Sequence, residues 1–230
     1  MTKKDTNKFT QMKKNTVSSE NQLKDSESIR FINPGGKGRR VLFAGNSITL
    51  HAPKTDIGWN ANWGMAASAK ENDYVHLIIN EVKKSDPDAA FCISQVAAWE
   101  GGYKQGSEIH AKYADARAFD ADVIICRFIE NCSAKDFDEE VFAKEYAAFV
   151  DYLNLSGKAK IIVTTGFWHH PGDDELRKFA AKNGYDLAEL GDLGEKDEMK
   201  AIGLFEHEGV ANHPGDKGMQ AIAARIMDNM

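Results

Sequence analysis

No apolar run in this sequence approaches the roughly 20 residues that a membrane helix requires, so no membrane span is expected in its 230 residues. The lysine-rich, polar stretch from Met1 to Asn15 has no apolar core of the kind a secretory signal carries. That favours a cytoplasmic protein, although a secreted chain with its leader already removed would read the same way. Cysteine is scarce. Cys92, Cys126 and Cys132 are an odd number without CxxC spacing, which argues against a disulfide framework and fits a reduced compartment. Cys92 and Cys126 lie inside apolar, strand-like runs, where a thiol behaves as a small buried hydrophobe.

Basic charge is also missing from most of the chain. Residues 1–40 carry ten Lys and Arg against four Asp and Glu, whereas the remainder carries 19 against 31, for an overall net charge of −6. An acidic body argues against binding a phosphate backbone, which needs clustered basic side chains. The basic N-terminal stretch lacks interleaved aromatic residues, so it reads as a solvated leader and no nucleic-acid partner is expected. The sequence contains neither GxGxxG nor a P-loop, which leaves a flavodoxin-like nucleotide binder without its phosphate cradle. No cofactor is expected.

What is present is an ordinary globular composition, 42% hydrophobic and 28% charged, in a chain long enough for one α/β domain with a full core. Residues 1–30 have few large apolar groups and no periodicity, and are expected to be a disordered basic leader; residues 31–230 are expected to form a single domain. After the turn cluster Asn33-Pro34-Gly35-Gly36, strand-like and helix-like segments alternate. Strands are predicted at Arg40–Ala44, Ala89–Ser94, Asp122–Phe128 and Lys160–Thr164, with a weaker fifth near Tyr185–Leu190. The second to fourth are nearly continuous Val, Ile, Phe and Cys runs, as expected of strands covered on both faces.

Amphipathic helices are predicted between them. Val75, Ile78, Ile79 and Val82 share one face, and that helix stops at Lys83, Lys84 and Pro87. Asp136 with Glu139 resembles a capping box ahead of the stripe Phe142, Tyr146, Phe149, Val150 and Leu153. Met219, Ile222, Ala223 and Ile226 form the stripe of a last helix. Such alternation predicts a central parallel sheet sandwiched by helices, a three-layer α/β/α arrangement. Ligands of such sheets sit outside the carboxyl ends of the strands. The segments there are Gly45–Met65, Gln95–Gly106, Glu130–Ser133, Gly166–Gly172 and the loop before the last helix.

Three of these segments carry candidate chemistry. Gly45-Asn46-Ser47-Ile48-Thr49-Leu50 directly follows the first predicted strand, so Ser47 is lifted to the rim of the sheet. Phe128-Ile129-Glu130-Asn131 closes the third, and His213-Pro214, with Gly218 beyond, precedes the last helix. A rim serine needs a base to become nucleophilic, and an imidazole titrates in the right range to be one. A helix-capping serine and a surface histidine would occupy the same places.

Together these blocks, in this order over about residues 40 to 228, resemble the GDSL/SGNH hydrolases, with Asn46 where that family more often has Asp. The resemblance implies a flavodoxin-like α/β/α sandwich and hydrolysis of an ester without a metal or cofactor. It implies Ser47 as nucleophile, His213 as general base, and Asn131 as a donor to the oxyanion beside the Ser47 backbone N–H. A small-molecule or carbohydrate ester, with acetyl on a sugar as one case, is then the expected substrate. A lysophospholipase or thioesterase, or a binding protein that has kept the fold without efficient turnover, remain as alternatives. Oligomeric state is not legible.

The chain departs from the family pattern in two places. The expected Asp three residues before the histidine is Val210, leaving Glu206, Glu208 or a backbone carbonyl to orient the imidazole. The usual oxyanion glycine has no clear counterpart between Gln95 and Gly102: Gly101 and Gly102 come late, and the N–H of Ala98 is an alternative. Two further features are open. Trp59 and Trp63, in the long segment after Ser47, either wall a ligand or pack a loop. His169-His170 follows the fourth strand, but adjacent side chains point apart and no third ligand is suggested, so a rim or structural role is expected rather than a metal site.

Overall fold

The side chains of Arg40–Gly45 alternate between two cores, and that alternation sets the architecture. Val41 and Phe43 face one cluster of buried apolar groups, Leu42 and Ala44 the other, and all four are fully buried. In the computed structural model, which describes residues 23–230, the strands are β1 (Ile29–Ile32), β2 (Arg40–Gly45), β3 (Ala90–Gln95), β4 (Val123–Arg127), β5 (Lys160–Thr164) and β6 (Asp186–Ala188). They form one sheet in the order β1-β3-β2-β4-β5-β6. All pairings are parallel except that of β1 with β3.

Helices cover both faces. On the first lie α1 (Tyr74–Ser85) and α7 (Asp216–Met227); Val75, Ile78, Ile79, Met219 and Ile222 pack there onto Val41, Phe43, Ile125 and Ile162. The second face is covered by α2 (Ala97–Gly102), α4 (Glu139–Leu153) and α5 (Asp173–Asn183). A run of 3-10 turns, Tyr103–Tyr113, and the short α3 (Ala114–Ala118) connect α2 to β4. A further short helix, α6 (Glu208–Ala211), precedes α7. This is the three-layer α/β/α sandwich expected from the alternation.

Several local expectations need correction. The leader expected over residues 1–30 falls mostly outside the described residues, but Ile29 and Arg30 belong to β1. Four residues long, with only Ile29 buried, this antiparallel edge strand has too short an apolar signal to stand out. The cap of α4 is Asp138, whose carboxylate accepts from the Val141 N–H at 3.0 Å, rather than Asp136. The helix starts at Glu139, so a cap must reach back from Val141.

Trp99 anchors the second face. It is fully buried, stacks on Phe149 with centroids 4.9 Å apart, and meets Phe128 edge-on at 5.2 Å. Replacing a buried indole leaves a cavity that a close-packed core cannot collapse. Trp99→Ala is therefore expected to lower the unfolding free energy by about 3–5 kcal/mol in a urea titration. A loss below about 1 kcal/mol, the level of a surface substitution, would contradict this view of the core.

Candidate active site

The site lies at the carboxyl ends of β2, β3 and β4, where Gly45 is in register with both Gln95 and Arg127. Gly45 is required by close approach: a Cβ there would meet the Thr49 Oγ1 at 1.8 Å and the Arg127 carbonyl at 2.9 Å. The chain then turns tightly, the Asn46 carbonyl accepting from the N–H groups of Thr49 (2.9 Å) and Leu50 (3.0 Å). Ser47 sits half-buried at the crest, and its carbonyl accepts from the Met65 N–H at 2.8 Å. Buried Asp73, the cap of α1, holds the supporting loop by accepting from the Gly64 N–H at 3.0 Å.

His213 approaches from the other end of the chain. Its Nε2 lies 2.8 Å from the Ser47 Oγ. Its Nδ1 lies 2.6 Å from the Gly209 carbonyl. A carbonyl can only accept, so Nδ1 carries the proton and Nε2 is left to accept from the serine hydroxyl. Val210, at the position of the expected carboxylate, is buried with Trp59, Met65, Ala66 and Ala201. Glu206 and Glu208 are exposed. The imidazole is thus oriented by the backbone of α6. Loss of water around it pushes the pKa of His213 down to about 4; the Gly209 carbonyl opposes that shift and nearby Arg127 adds to it.

Asn131 is brought to the same edge, but its amide is not free. Its Nδ2 donates to Glu100 Oε2 at 2.6 Å, and its backbone N–H lies 3.4 Å from Glu100 Oε1. One N–H of the exposed amide remains for another acceptor. Asn46, fully buried, has no such spare capacity. Its Nδ2 donates to Glu100 Oε1 at 3.0 Å and to Glu130 Oε2, while its Oδ1 accepts from Arg127 Nη1 at 2.7 Å. Glu130 also pairs with Arg127 and accepts from the Phe167 N–H at 2.8 Å. Burial, then repulsion by Glu130, raises the Glu100 pKa to about 7.

Sequence reasoning missed Glu100, Arg127, Glu130 and Trp168. Arg127 did have a signal, a charge ending an otherwise apolar strand. Glu100 had none, because the expected loop from Gln95 to Gly102 is instead the short α2, which turns Glu100 inward. Trp168 meets the His213 ring edge-on at 5.2 Å. The indoles weighed as a wall are occupied elsewhere: Trp59 Nε1 donates to the His51 carbonyl at 3.2 Å and Trp63 Nε1 to that of Ala67 at 3.0 Å. His169 and His170 turn to Glu195 and to the Cys132 carbonyl, at 2.9 and 2.8 Å.

No protein-family model matches the sequence, and no curated protein resembles it significantly. Solved structures do resemble the fold. A two-domain esterase active on acetylated mannans superposes with a TM-score of 0.54 at 16% identity, over 85% of this chain and 49% of that one. The present chain therefore spans about half the length of that protein. A family two carbohydrate esterase from Cellvibrio japonicus gives 0.54 at 15% identity, over 84% of this chain and 60% of that one. A member of the lipolytic G-D-S-L family from Veillonella parvula gives 0.50 at 13% identity, over 83% and 97%. The chain thus has the fold of GDSL-type lipolytic proteins and carbohydrate esterases.

Proposed function

We propose that the chain is a serine esterase that removes a small acyl group, in particular acetyl on a carbohydrate, from its alcohol. The observation that carries this reading is the 2.8 Å contact between Ser47 Oγ and a His213 whose other nitrogen is held by the Gly209 carbonyl. In this reaction Ser47 Oγ bonds to the ester carbon as its proton passes to His213 Nε2. The carbonyl π pair becomes the oxyanion, which the remaining Asn131 amide N–H and the Ser47 backbone N–H receive. When the intermediate collapses, the C–O bond to the alcohol breaks and Nε2 protonates the leaving oxygen. Water then repeats the sequence on the acyl-enzyme, releasing the acid and restoring Ser47.

A small polar alcohol is favoured over a long lipid. A hollow of about 240 Å³ is lined by Glu27, Ser28, Leu50, His51, Ala52 and Gln95, small or polar residues apart from Leu50, and three of these lining residues follow Ser47 closely in the chain. Among the described residues, no helix is long and apolar enough to cross a membrane. The second reading, a binding protein with weakened turnover, is favoured by one observation: buried Val210 leaves the imidazole without a carboxylate.

Wild type is expected to hydrolyse p-nitrophenyl acetate, with Ser47→Ala and His213→Ala each losing at least about 10³-fold in kcat, the scale of losing a triad member. Equal background rates in all three would favour the binding protein. Acetate release from acetylated mannan should exceed hydrolysis of a palmitoyl ester, and the reverse would favour a lipase or thioesterase. A fluorophosphonate probe should label Ser47 alone.

A histidine whose folded pKa is depressed binds fewer protons folded than unfolded between about 4 and 6.5. Its stabilising contribution is present above pH 6.5 and lost as pH falls toward 4. In an NMR titration, the His213 ring signals should therefore stay in the neutral form at pH 5.5, where an ordinary histidine is mostly charged. A midpoint at or above 6.5 would contradict the water-poor setting.

A further inference from the structure

We propose that buried Glu100 is a positioning residue that, while its carboxyl is ionised, holds the Asn131 amide with its nitrogen toward Glu100, so that the second amide N–H, and not the carbonyl oxygen, is left for the oxyanion. This rests on the esterase reading and adds a residue and a pH control to it. The geometry is directional. Three N–H groups point at the Glu100 carboxyl: Asn46 Nδ2 at 3.0 Å, Asn131 Nδ2 at 2.6 Å and the Asn131 backbone at 3.4 Å. A carboxylate accepts from all three through charge-assisted bonds, whereas protonation turns one oxygen into a hydroxyl, a weaker acceptor whose own proton competes with the donors around it.

The orientation matters because an amide has two unlike ends. With its nitrogen toward Glu100, Asn131 keeps its second N–H available to an oxyanion. A flipped amide would present its carbonyl oxygen to that negative charge instead. Asn131 is exposed, and the charge-assisted bond from its amide to the buried Glu100 carboxylate is what resists a flip. Glu100 thereby reaches the reaction through Asn131 without touching substrate.

The groups facing Glu100 make its charge conditional. Glu130, from the turn after β4, repels it across the shared Asn46 amide. Arg127 pairs with Glu130 and donates to Asn46, so its positive charge is spent on the far side of that amide. Tyr113 from the 3-10 run, Cys132 from the loop after β4 and Tyr146 from α4 also lie within its electrostatic reach. Burial holds each of these in its neutral form, so none supplies a compensating cation. Full burial and the Glu130 charge favour the acid, the three donors favour the carboxylate, and the balance falls near neutral pH.

The test is the pH dependence of p-nitrophenyl acetate hydrolysis by wild type and Glu100→Gln, each with and without Asn131→Ala. Wild type should show an acid limb in kcat/KM near pH 7, above the His213 titration. Glu100→Gln should lose about tenfold in kcat at pH 8, part of the effect of deleting a full oxyanion donor, with KM within about twofold. Its limb should move below pH 6, and in the Asn131→Ala background the same change should cost less than about twofold. A limb unmoved by Glu100→Gln, or an equal loss without Asn131, would overturn the proposal. If the chain hydrolyses no ester, the Asn131 side-chain ¹⁵N signal still decides. A step near pH 7 that Glu100→Gln abolishes supports the linkage, and a flat signal in wild type overturns it.

Discussion

The arrangement of the sheet edge depends on one buried amide. Asn46 precedes Ser47, is fully enclosed, and has three charged side-chain partners, Glu100 and Glu130 through its nitrogen and Arg127 through its oxygen, which also accepts from the Ile48 N–H at 3.3 Å. A buried polar group left unpaired costs about 1–3 kcal/mol, so each partner fixes the others. Through Glu130 the linkage reaches the Phe167 N–H, and hence the loop that carries Trp168. Through Glu100 it reaches Asn131. The segments that follow β2, β3, β4 and β5 are thereby registered against one another. An Asp at position 46 would place a third carboxylate between Glu100 and Glu130, with only Arg127 in contact to offset it. An amide fits that position because it can donate to both acids while accepting from the arginine.

The layered fold was legible because its signals are periodic and repeated. Val75, Ile78, Ile79 and Val82 recur at helical spacing and are all buried. The runs that became β3, β4 and β5 are apolar throughout because helices cover both faces. Elements that depend on a single residue were harder to see. β1 buries only Ile29 of its four residues and pairs through its backbone, which leaves almost no trace in side-chain type.

The site was legible where chemistry and strand position coincide, and obscure where function depends on tertiary contact. Ser47 and His213 stand out as polar residues at element ends, and folding brings them to 2.8 Å across 166 positions of sequence. Glu100 reads as one acid among 35 acidic side chains. Only the turn of α2 and the amides of Asn46 and Asn131 make it special. Trp168 carries no signal of its own in the sequence, because its contact with the His213 ring exists only in the folded chain. Spacing also failed for the imidazole's partner, because a backbone carbonyl carries no residue identity at all.

The two titrating groups at this edge act on stability in opposite directions, since protonating His213 and ionising Glu100 each cost it. His213 is kept neutral by its surroundings, so it accepts a proton reluctantly, and a carbonyl at Nδ1 compensates the resulting cation less than a carboxylate would. Glu100 is kept near its neutral form by burial and by Glu130. A carboxyl with a raised folded pKa adds stability below its unfolded value near 4.5, and that contribution is lost as pH rises toward 7. Ionised Glu100 thus costs folding stability in the same range where it would hold Asn131 for the oxyanion. With a weakly basic histidine, the proposed reaction must draw more of its acceleration from donors aimed at the oxyanion than a carboxylate-supported triad would. Spending stability to orient such a donor is consistent with that demand.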